Sequence, residues 1–393
     1  MENENLVLEI PYGTRDFLPQ EAAEKRSLET KLASLFEGWG YDEIVTPTME
    51  YLDNLTLSGS SVLEPHMFKL FDRTNRTLAL RHEMTTPLAR VASSRLKDEP
   101  LPLKLFAVGP VFRYEQSQTG RQCEFYQAGV ELMGSPSPAA DAEVIALCVE
   151  TLRAAGLQDF RLYLGQVEFI NGIMEQYPLT EEQQAELRSY LEKRNLVALE
   201  QAVDKMQIPA PAKQTLKKLP LLSGGEEMLE QAYGMALSEK SRRALDNLSA
   251  IYRLLKAYGV ADAVQFDLGI IRDFGYYTGM VFEGYAPGLG FSLCGGGRYD
   301  HLLSSFGNPC PATGFAVGIE RLLLAREAQG GEAKADEQGV YVGYAAGKDA
   351  QAIEKAQALR GEGRQVELAL RPQSEAEAKR SADARQAAAV YVA

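Results

Sequence analysis

Apolar residues recur along the chain in two periods, and each period predicts one kind of element. Helical spacing over 21–39 places Leu28, Leu32, Leu35 and Phe36 on one buried face. Further helices are predicted over 83–96, 139–155 and 350–360, with Thr85 or Thr86 capping the first of these. Alternating or continuous apolar runs predict strands over 41–47, 67–72, 77–81, 103–114, 123–133, 161–165, 270–272, 277–285, 291–294, 339–347, 365–370 and 387–393.

The order of these elements predicts the fold class and the domains. Leucines at helical spacing over 172–260, broken by proline and glycine pairs, indicate an all-helical insertion. Strands on both sides of it predict an α+β fold, an antiparallel sheet flanked by helices, over 1–327. A Gly-, Ala- and Glu-rich linker is expected over 328–338 and a small C-terminal α/β unit over 339–393.

Composition narrows the class of protein. With 393 residues, 45% apolar and 24% charged, the chain is expected to be a globular protein of the cytoplasm, with no membrane span. The four cysteines are far apart and the three histidines do not cluster, so neither a metal site nor a cofactor is expected. A net charge of −13 argues against a surface that coats nucleic acid.

Two stretches carry candidate chemistry. In FRYEQSQTGRQCEFYQAGVE (112–131), Gln127 and Glu131 share one strand face by the period-two rule, near the strand arginine Arg113. That set suits a zwitterionic ligand. The alternative is charged cross-strand pairs on an exposed sheet, which would give the same sequence pattern. In FDLGIIRDFGYYTGMVFEGYAPGLGFSLCGGGRYD (266–300), the polar groups suggest the wall of a small-molecule pocket; the alternative is a glycine-kinked sheet with half-buried tyrosines. The polar groups in question are Arg272, Tyr276, Tyr277 and Arg298.

Taken in order, the motifs resemble the core of class II aminoacyl-tRNA synthetases, and among them histidyl-tRNA synthetase. The 112–131 block resembles motif 2, and GFAVGIERL (314–322) resembles motif 3, with its arginine at Arg321. RDFGYYTGMVFE and GGGRYD resemble the two histidine-recognition signatures. The resemblance covers nearly all of residues 9–326.

This resemblance implies roles for single residues. Arg113 would hold a carboxylate and an α-phosphate, and Arg272 would stand where the family's adenylation arginine stands. Carboxylates, an amide and a hydroxyl would meet the α-amino group around a bound histidine, while two tyrosines wrap its imidazole. The implied histidine-like pocket comprises Glu83, Thr85, Arg113, Gln127, Glu131, Arg272, Tyr276 and Tyr277, and an implied nucleotide or phosphate subsite comprises Arg113, Arg121 and Arg321.

Departures from the synthetase pattern favour a related family. RHEMT stands where synthetases read R-P-E-G-T, which places Met84 beside the amino-group site, and Gly275 replaces the aspartate before the tyrosine pair. These features, with GYYTGMVFEGY and MTTPLAR, resemble the regulatory subunits of ATP phosphoribosyltransferase. That resemblance implies a non-catalytic, histidine-sensing partner of a short-form catalytic subunit in the first step of histidine biosynthesis, without tRNA.

Two other hypotheses stay open at this point. One is a working histidyl-tRNA synthetase with an abbreviated anticodon-binding domain, and the other is a synthetase-like protein with a different amine ligand. Self-association is also expected, since class II cores pair through the region of 21–47. There Trp39, Tyr41 and Ile44 would leave an apolar patch if unpaired.

Overall fold

The computed structural model describes residues 8–57, 64–114, 122–270, 276–331 and 339–393. The chain divides into two compact units, Met1–Gly331 and Glu332–Ala393. In the described segments no helix is long and apolar enough to cross a membrane. Residues 332–338 of the predicted linker lie outside the described residues.

The first helix has the predicted face. α1 (Pro19–Gly38) buries Leu28, Leu32 and Phe36, while Leu35 is only half-buried. The strand predicted over 41–47 was too long, because β1 covers only Asp42–Glu43. The guanidinium of Arg81 donates to the carbonyls of Thr46 and Pro47, so the backbone there bonds a side chain instead of a neighbouring strand.

The three residues expected to form an apolar patch after α1 contact other parts of the chain. Tyr41 is buried and its hydroxyl donates to Glu143, which with burial raises the pKa of the phenol. Trp39 stacks on Tyr258 with ring centroids 5.9 Å apart. Ile44 packs against a second buried cluster of the core. Tyr41 is therefore covered within the chain, while Trp39 and Ile44 are partly covered.

A small antiparallel sheet follows, and two of its strands confirm those predicted over 67–72 and 77–81. Its elements are β2 (Met49–Tyr51), α2 (Leu52–Thr56), β3 (Lys69–Phe71) and β4 (Thr77–Leu80), in the strand order β2-β4-β3. α3 (Thr85–Ser94) begins beyond it. The predicted threonine cap of α3 is wrong, because the carboxylate of Glu83 accepts the amide hydrogens of Thr85 and Thr86 instead.

The main sheet confirms the predicted fold class. Its strands run in the order β1-β5-β6-β12-β11-β10-β7-β9-β8, antiparallel except for the pairs β1–β5 and β7–β9. The elements before the insertion are β5 (Leu103–Phe112), β6 (Glu124–Met133), α4 (Pro138–Ala154) and β7 (Arg161–Gln166). Those after it are β9 (Val264–Asp267), β10 (Met280–Tyr285), β11 (Cys294–Arg298), β12 (Ala312–Gly318) and α11 (Ile319–Ala328).

The segment between β7 and β9 is helical, as expected, apart from one short strand. It comprises α5 (Val167–Glu175), α6 (Glu181–Glu192), α7 (Leu196–Lys205), α8 (Ala210–Lys218), β8 (Ser223–Gly224), α9 (Glu227–Met235) and α10 (Glu239–Tyr258). Leu245, Leu248 and Ile251 of α10 are fully buried in the main core cluster. This burial joins the insertion to the sheet and makes it part of the same unit.

The glycine-rich strand lies later than the sequence predicted. The strand expected over 291–294 is β11, Cys294–Arg298, and its glycines are the strand itself. A Cβ on Gly296 would lie 2.7 Å from the Cβ of Phe315 and would overlap the carbonyl of Gly314. Glycine is needed because the strands and side chains around β11 leave no room for a methyl group. Of the strand predicted over 270–272, residues 271 and 272 lie outside the described residues.

The C-terminal unit is a parallel α/β arrangement with one element that the prediction missed. It consists of β13 (Val340–Tyr344), α12 (Asp349–Gly361), β14 (Val366–Leu368), α13 (Glu375–Asp383) and β15 (Ala388–Val392), in the strand order β14-β13-β15. α13 was missed because its buried residues are alanines, which give a weak apolar pattern. Its capping box, Ser374 with Glu377, was the available signal.

Candidate functional site

A cavity of about 120 Å³ opens on one face of the main sheet. The residues of the predicted pocket and of the predicted subsite that line it are Glu83, Thr85, Arg113, Gln127, Glu131, Tyr276, Tyr277 and Arg321. Arg121 and Arg272 lie outside the described residues. The structure thus brings together side chains from β6, from the starts of α3 and α11, and from the segments after β5 and before β10.

Small residues form the floor of this cavity. Glu131 pairs with Gly314 across β6 and β12, and Gln127 pairs with Gly318. A Cβ on Gly314 would lie 2.7 Å from Cδ of Glu131 and would overlap its carboxyl group. Gly314 therefore makes room for the Glu131 carboxyl, which packs directly against the neighbouring backbone.

Arg298, expected in the pocket wall, is on the other face of the sheet. Its guanidinium forms a buried ion pair with Asp141 of α4, with Nη2 2.8 Å from Oδ1, and it also donates to Ser135 and Asp300. The period-two rule explains the difference, because Arg298 shares a strand face with Cys294, whose side chain contacts Cys148 of α4.

Glu83 caps α3 and also lines the cavity. It is buried, and its carboxylate accepts the amide hydrogens of Thr85 and Thr86 at the start of α3. A carboxylate has about four lone-pair sites, so these bonds leave room for a ligand ammonium. The helix N-terminus holds the carboxylate in place, which the sequence did not reveal.

Glu131 is buried at the cavity and has no cation beside it among the described residues. It is 3% exposed, and its carboxyl accepts a short hydrogen bond from the hydroxyl of Tyr299 and another bond from the side chain of Thr85. Burial raises the pKa of Glu131 to about 8; the bonds from Thr85 and Tyr299 oppose this rise, and the nearby Glu83 adds to it. The Glu131 side chain is therefore mostly protonated near neutral pH.

Gln127 presents an acceptor to the cavity. Its Oε1 atom is buried and finds no hydrogen-bond partner within the described part of the chain. A buried acceptor without a donor is costly, and a ligand N–H would remove that cost.

Two arginines flank the opening, each over a phenylalanine ring. Arg113 lies 5.3 Å from the ring centroid of Phe125, and its Nε donates to the carbonyl of His82. Arg321 lies 5.3 Å from the ring centroid of Phe291, and its Nη1 donates to the carbonyl of Ser292. These contacts hold both guanidinium groups at the cavity, where they suit carboxylate or phosphate groups.

Three tyrosines form the aromatic end. Tyr276 lies 4.9 Å from Tyr277 and 5.7 Å from Tyr299, measured between ring centroids. Tyr299 is fully buried, and burial together with Glu131 raises the pKa of its phenol. Tyr299 was not among the predicted site residues, although it stands in the GGGRYD signature. Among the described residues no group of three or more His, Cys, Asp or Glu could hold a metal ion.

Comparison with known proteins agrees with this architecture. Residues 13–322 match the histidyl-tRNA synthetase family. The chain is 46% identical to the ATP phosphoribosyltransferase regulatory subunit of Moorella thermoacetica, over 97% of each protein, and 43% identical to that of Desulforamulus reducens, over 94% of this chain and 92% of the relative. The chain belongs to the ATP phosphoribosyltransferase regulatory subunit family.

Solved structures show that this chain has the synthetase fold. A Bacillus halodurans structure, described as an ATP phosphoribosyltransferase regulatory subunit/histidyl-tRNA synthetase, superposes with a TM-score of 0.87 at 36% identity, covering 98% of each chain. A histidyl-tRNA synthetase from Nostoc superposes with a TM-score of 0.83 at 23% identity, over 96% of this chain and 89% of the other, which shows the shared fold alone. The predicted family and fold are confirmed.

Proposed function

We propose that this chain is the non-catalytic regulatory subunit of an ATP phosphoribosyltransferase and that it senses free histidine in the cavity on β6. The regulatory role rests on relatives of that name that match nearly the whole chain. The partner is a short-form catalytic subunit, which carries out the first step of histidine biosynthesis. Histidine, as the end product, is then the natural ligand for feedback.

The unpartnered Oε1 atom of Gln127 carries the ligand proposal. It lies in the same cavity as the Glu83 carboxylate and the Arg113 guanidinium. An α-amino acid offers an ammonium group for the first two and a carboxylate for the third. The tyrosines at the other end suit a flat, weakly polar ring, and an imidazole fits that description.

A working histidyl-tRNA synthetase is the less favoured function. The curated relatives reported above are regulatory subunits. Met84 is buried and lines the cavity beside Glu83, where the synthetase pattern has glycine. The C-terminal unit has only three strands and two helices among its described residues, a small platform for reading an anticodon.

Histidine binding is tested by thermal unfolding of the purified chain. A ligand that binds only the folded state at about a hundred times its Kd adds about 2.7 kcal/mol to the free energy of unfolding. We expect histidine to raise the melting temperature, histidinol to raise it less, and Gln127→Ala to abolish most of the shift. Gln351→Ala, on the exposed side of α12, is the matched control and should keep it. No shift with histidine, in the chain alone and in its complex with the catalytic subunit, would contradict the sensing role.

The regulatory role has its own test. The catalytic subunit is assayed for phosphoribosyl transfer to ATP alone, with this chain, and with this chain plus histidine. We expect the chain to change the rate and histidine to alter that change. An unchanged rate in all three mixtures would refute the proposal.

We also propose self-association, through the small sheet. Across β2, β4 and β3, Met49 pairs with Leu80, and Leu78 lies between Tyr51 and Leu70. These residues share one face by the strand alternation, and none of them is fully buried. An apolar face of this kind supports pairing with a second copy. A cytoplasmic location is proposed as well, supported by four cysteines that are all buried free thiols.

A further inference from the structure

The cavity has two chemically different ends. At one end Arg113 binds the carbonyl of His82, and the next residue along the chain is Glu83. The ammonium and carboxylate of an amino acid are attached to the same carbon atom. The carboxylate and guanidinium groups that bind them must therefore lie close together, as those of Glu83 and Arg113 do. Thr85 bonds both Glu83 and Glu131, and on the far side of Thr85 the Glu131 carboxyl bonds the hydroxyl of Tyr299, which meets the ring of Tyr276. An amino acid whose ammonium and carboxylate meet Glu83 and Arg113 would have its side chain on the side of Glu131 and Tyr299.

Among the described residues, no cation near Glu131 balances a negative charge on its carboxyl. The groups that face this carboxyl are hydroxyls, phenols and one carboxylate, contributed by the loop after α1, the start of α3, the segment before β10 and the loop after β11. They are Tyr41, Glu83, Thr85, Tyr276, Tyr277 and Tyr299. Within the described segments, Glu131 has no ion pair with arginine, lysine or histidine. On the β12 side its carboxyl lies against Gly314, which has no side chain.

A bound histidine would bring a second titrating group to this enclosure. A free imidazole has a pKa near 6.5, and burial holds the pKa of Glu131 at about 8. An imidazolium beside a protonated carboxyl would be an unpaired buried charge, and a neutral imidazole beside a carboxylate would be another. A single shared proton avoids both unpaired charges. On Glu131 it gives a neutral pair, and on the imidazole it gives an ion pair.

We propose that Glu131 and the imidazole ring of the bound histidine hold a single proton between them, so that histidine sensing is linked to pH. This inference rests on the proposed function, because it takes histidine as the ligand. It adds a role for Glu131 that goes beyond contact, since this residue selects the protonation state of the complex.

The sign of the linkage follows from counting protons. Between about pH 6.5 and 8 the free protein supplies the one proton, so affinity is nearly constant. Above about pH 8 free Glu131 is ionised, binding must take up a proton, and affinity falls roughly tenfold per pH unit. Below about pH 6.5 the free ligand is charged, binding must release a proton, and affinity falls again.

The test is calorimetric titration of histidine from pH 5.5 to 9.5 into the unmodified chain and into Glu131→Gln. The amide keeps the shape and can hydrogen-bond, but it cannot ionise. We expect the unmodified chain to lose roughly fifteenfold in affinity between pH 8 and 9.5 beyond any loss seen in Glu131→Gln. Loss from titration of the ligand's own ammonium is common to both proteins and cancels in the comparison.

Identical pH profiles for the two proteins would overturn the single-proton proposal while leaving histidine sensing intact. Absence of binding at every pH would instead overturn the proposed function on which it rests.

An infrared measurement covers the case in which Glu131→Gln does not fold. The free, unmodified chain should show the absorption of a protonated carboxyl group at pH 7, and this band should fade by pH 9.5 while the fold is retained. Adding histidine at pH 9.5 should cause uptake of more protons than the ligand's own ammonium group requires, measured as the dependence of the binding enthalpy on the buffer's ionisation enthalpy. A carboxyl band absent at pH 7, or a proton uptake at pH 9.5 no larger than that of the ligand's ammonium, would overturn the proposal.

Discussion

Removing the charge of Asp141 should destabilise the larger unit strongly. The Asp141 and Arg298 side chains are 0% and 8% exposed, and Arg298 Nε and Nη2 lie 3.0 and 2.8 Å from Oδ1 of Asp141. Breaking a buried ion pair by removing one partner costs about 3–5 kcal/mol, because the other charge stays buried. Arg298 would keep Asp300, which is one-third exposed, at 3.0 Å. We therefore expect Asp141→Asn to lose about 3 kcal/mol, the lower end of that range.

The same helix supplies the control. Glu150 of α4 pairs with Arg153 at 2.9 Å, and these side chains are 38% and 37% exposed. An exposed pair contributes about 0–1 kcal/mol, so Glu150→Gln should change the free energy of unfolding by less than about 1 kcal/mol. The two substitutions make the same chemical kind of change, charge to amide, and differ mainly in burial.

The single tryptophan makes the measurement specific to this unit. Trp39 stacks on Tyr258 within Met1–Gly331, so its fluorescence in urea reports the unfolding of the unit that contains α4. Equal losses in Asp141→Asn and Glu150→Gln would refute the assigned role of the ion pair. So would a double variant, Asp141→Leu with Arg298→Met, that was no more stable than Asp141→Asn, because an apolar replacement of both partners should recover most of the loss.

Three further outcomes follow from the geometry. Gly314→Ala should lower the free energy of unfolding by about 2 kcal/mol and abolish histidine binding, because its methyl group would overlap the Glu131 carboxyl. The control is Gly290→Ala, whose new Cβ would lie more than 4 Å from every described residue except its chain neighbours. It should have neither effect in the same urea and calorimetric assays. Leu70→Lys should lower the mass measured by light scattering at micromolar concentration, whereas Gln351→Lys should leave it unchanged, and a monomeric unmodified chain would contradict the proposed pairing face. Pyrophosphate exchange with histidine and ATP should stay at background, since Met84 fills space beside the ammonium site; robust exchange would identify a synthetase instead.

The parts of the fold that the sequence predicted well are those with a strong apolar period. The hairpin of β3 and β4, the long strands β5 and β6, and α4 lie within a few residues of their predicted bounds. β11 was misplaced because a run of glycines has no period at all. Its strand conformation depends on the close approach of its neighbours, which is a tertiary effect.

The candidate site was predictable as a set of residues, but not as a set of interactions. Period two places Gln127 and Glu131 on one face, and they do line one cavity. The sequence could not show that Glu83 caps α3. It could not show either that Tyr299 bonds Glu131, since the two are 168 positions apart. Arg298 was assigned to the wrong face because the start of β11 was misplaced.

Three buried carboxylates of this core illustrate why local donors decide what a carboxylate can do. Asp141 meets a guanidinium and ties α4 to β11 as an ion pair. Glu83 meets the amide hydrogens at the start of α3, which hold it in place and leave lone pairs for a cation. Among the described residues Glu131 meets hydroxyl donors, which do not offset its burial, so it keeps a proton near neutral pH. Replacing Tyr299 with phenylalanine would remove a bond that lowers the pKa of Glu131, and the alkaline limb of histidine binding should then move to higher pH.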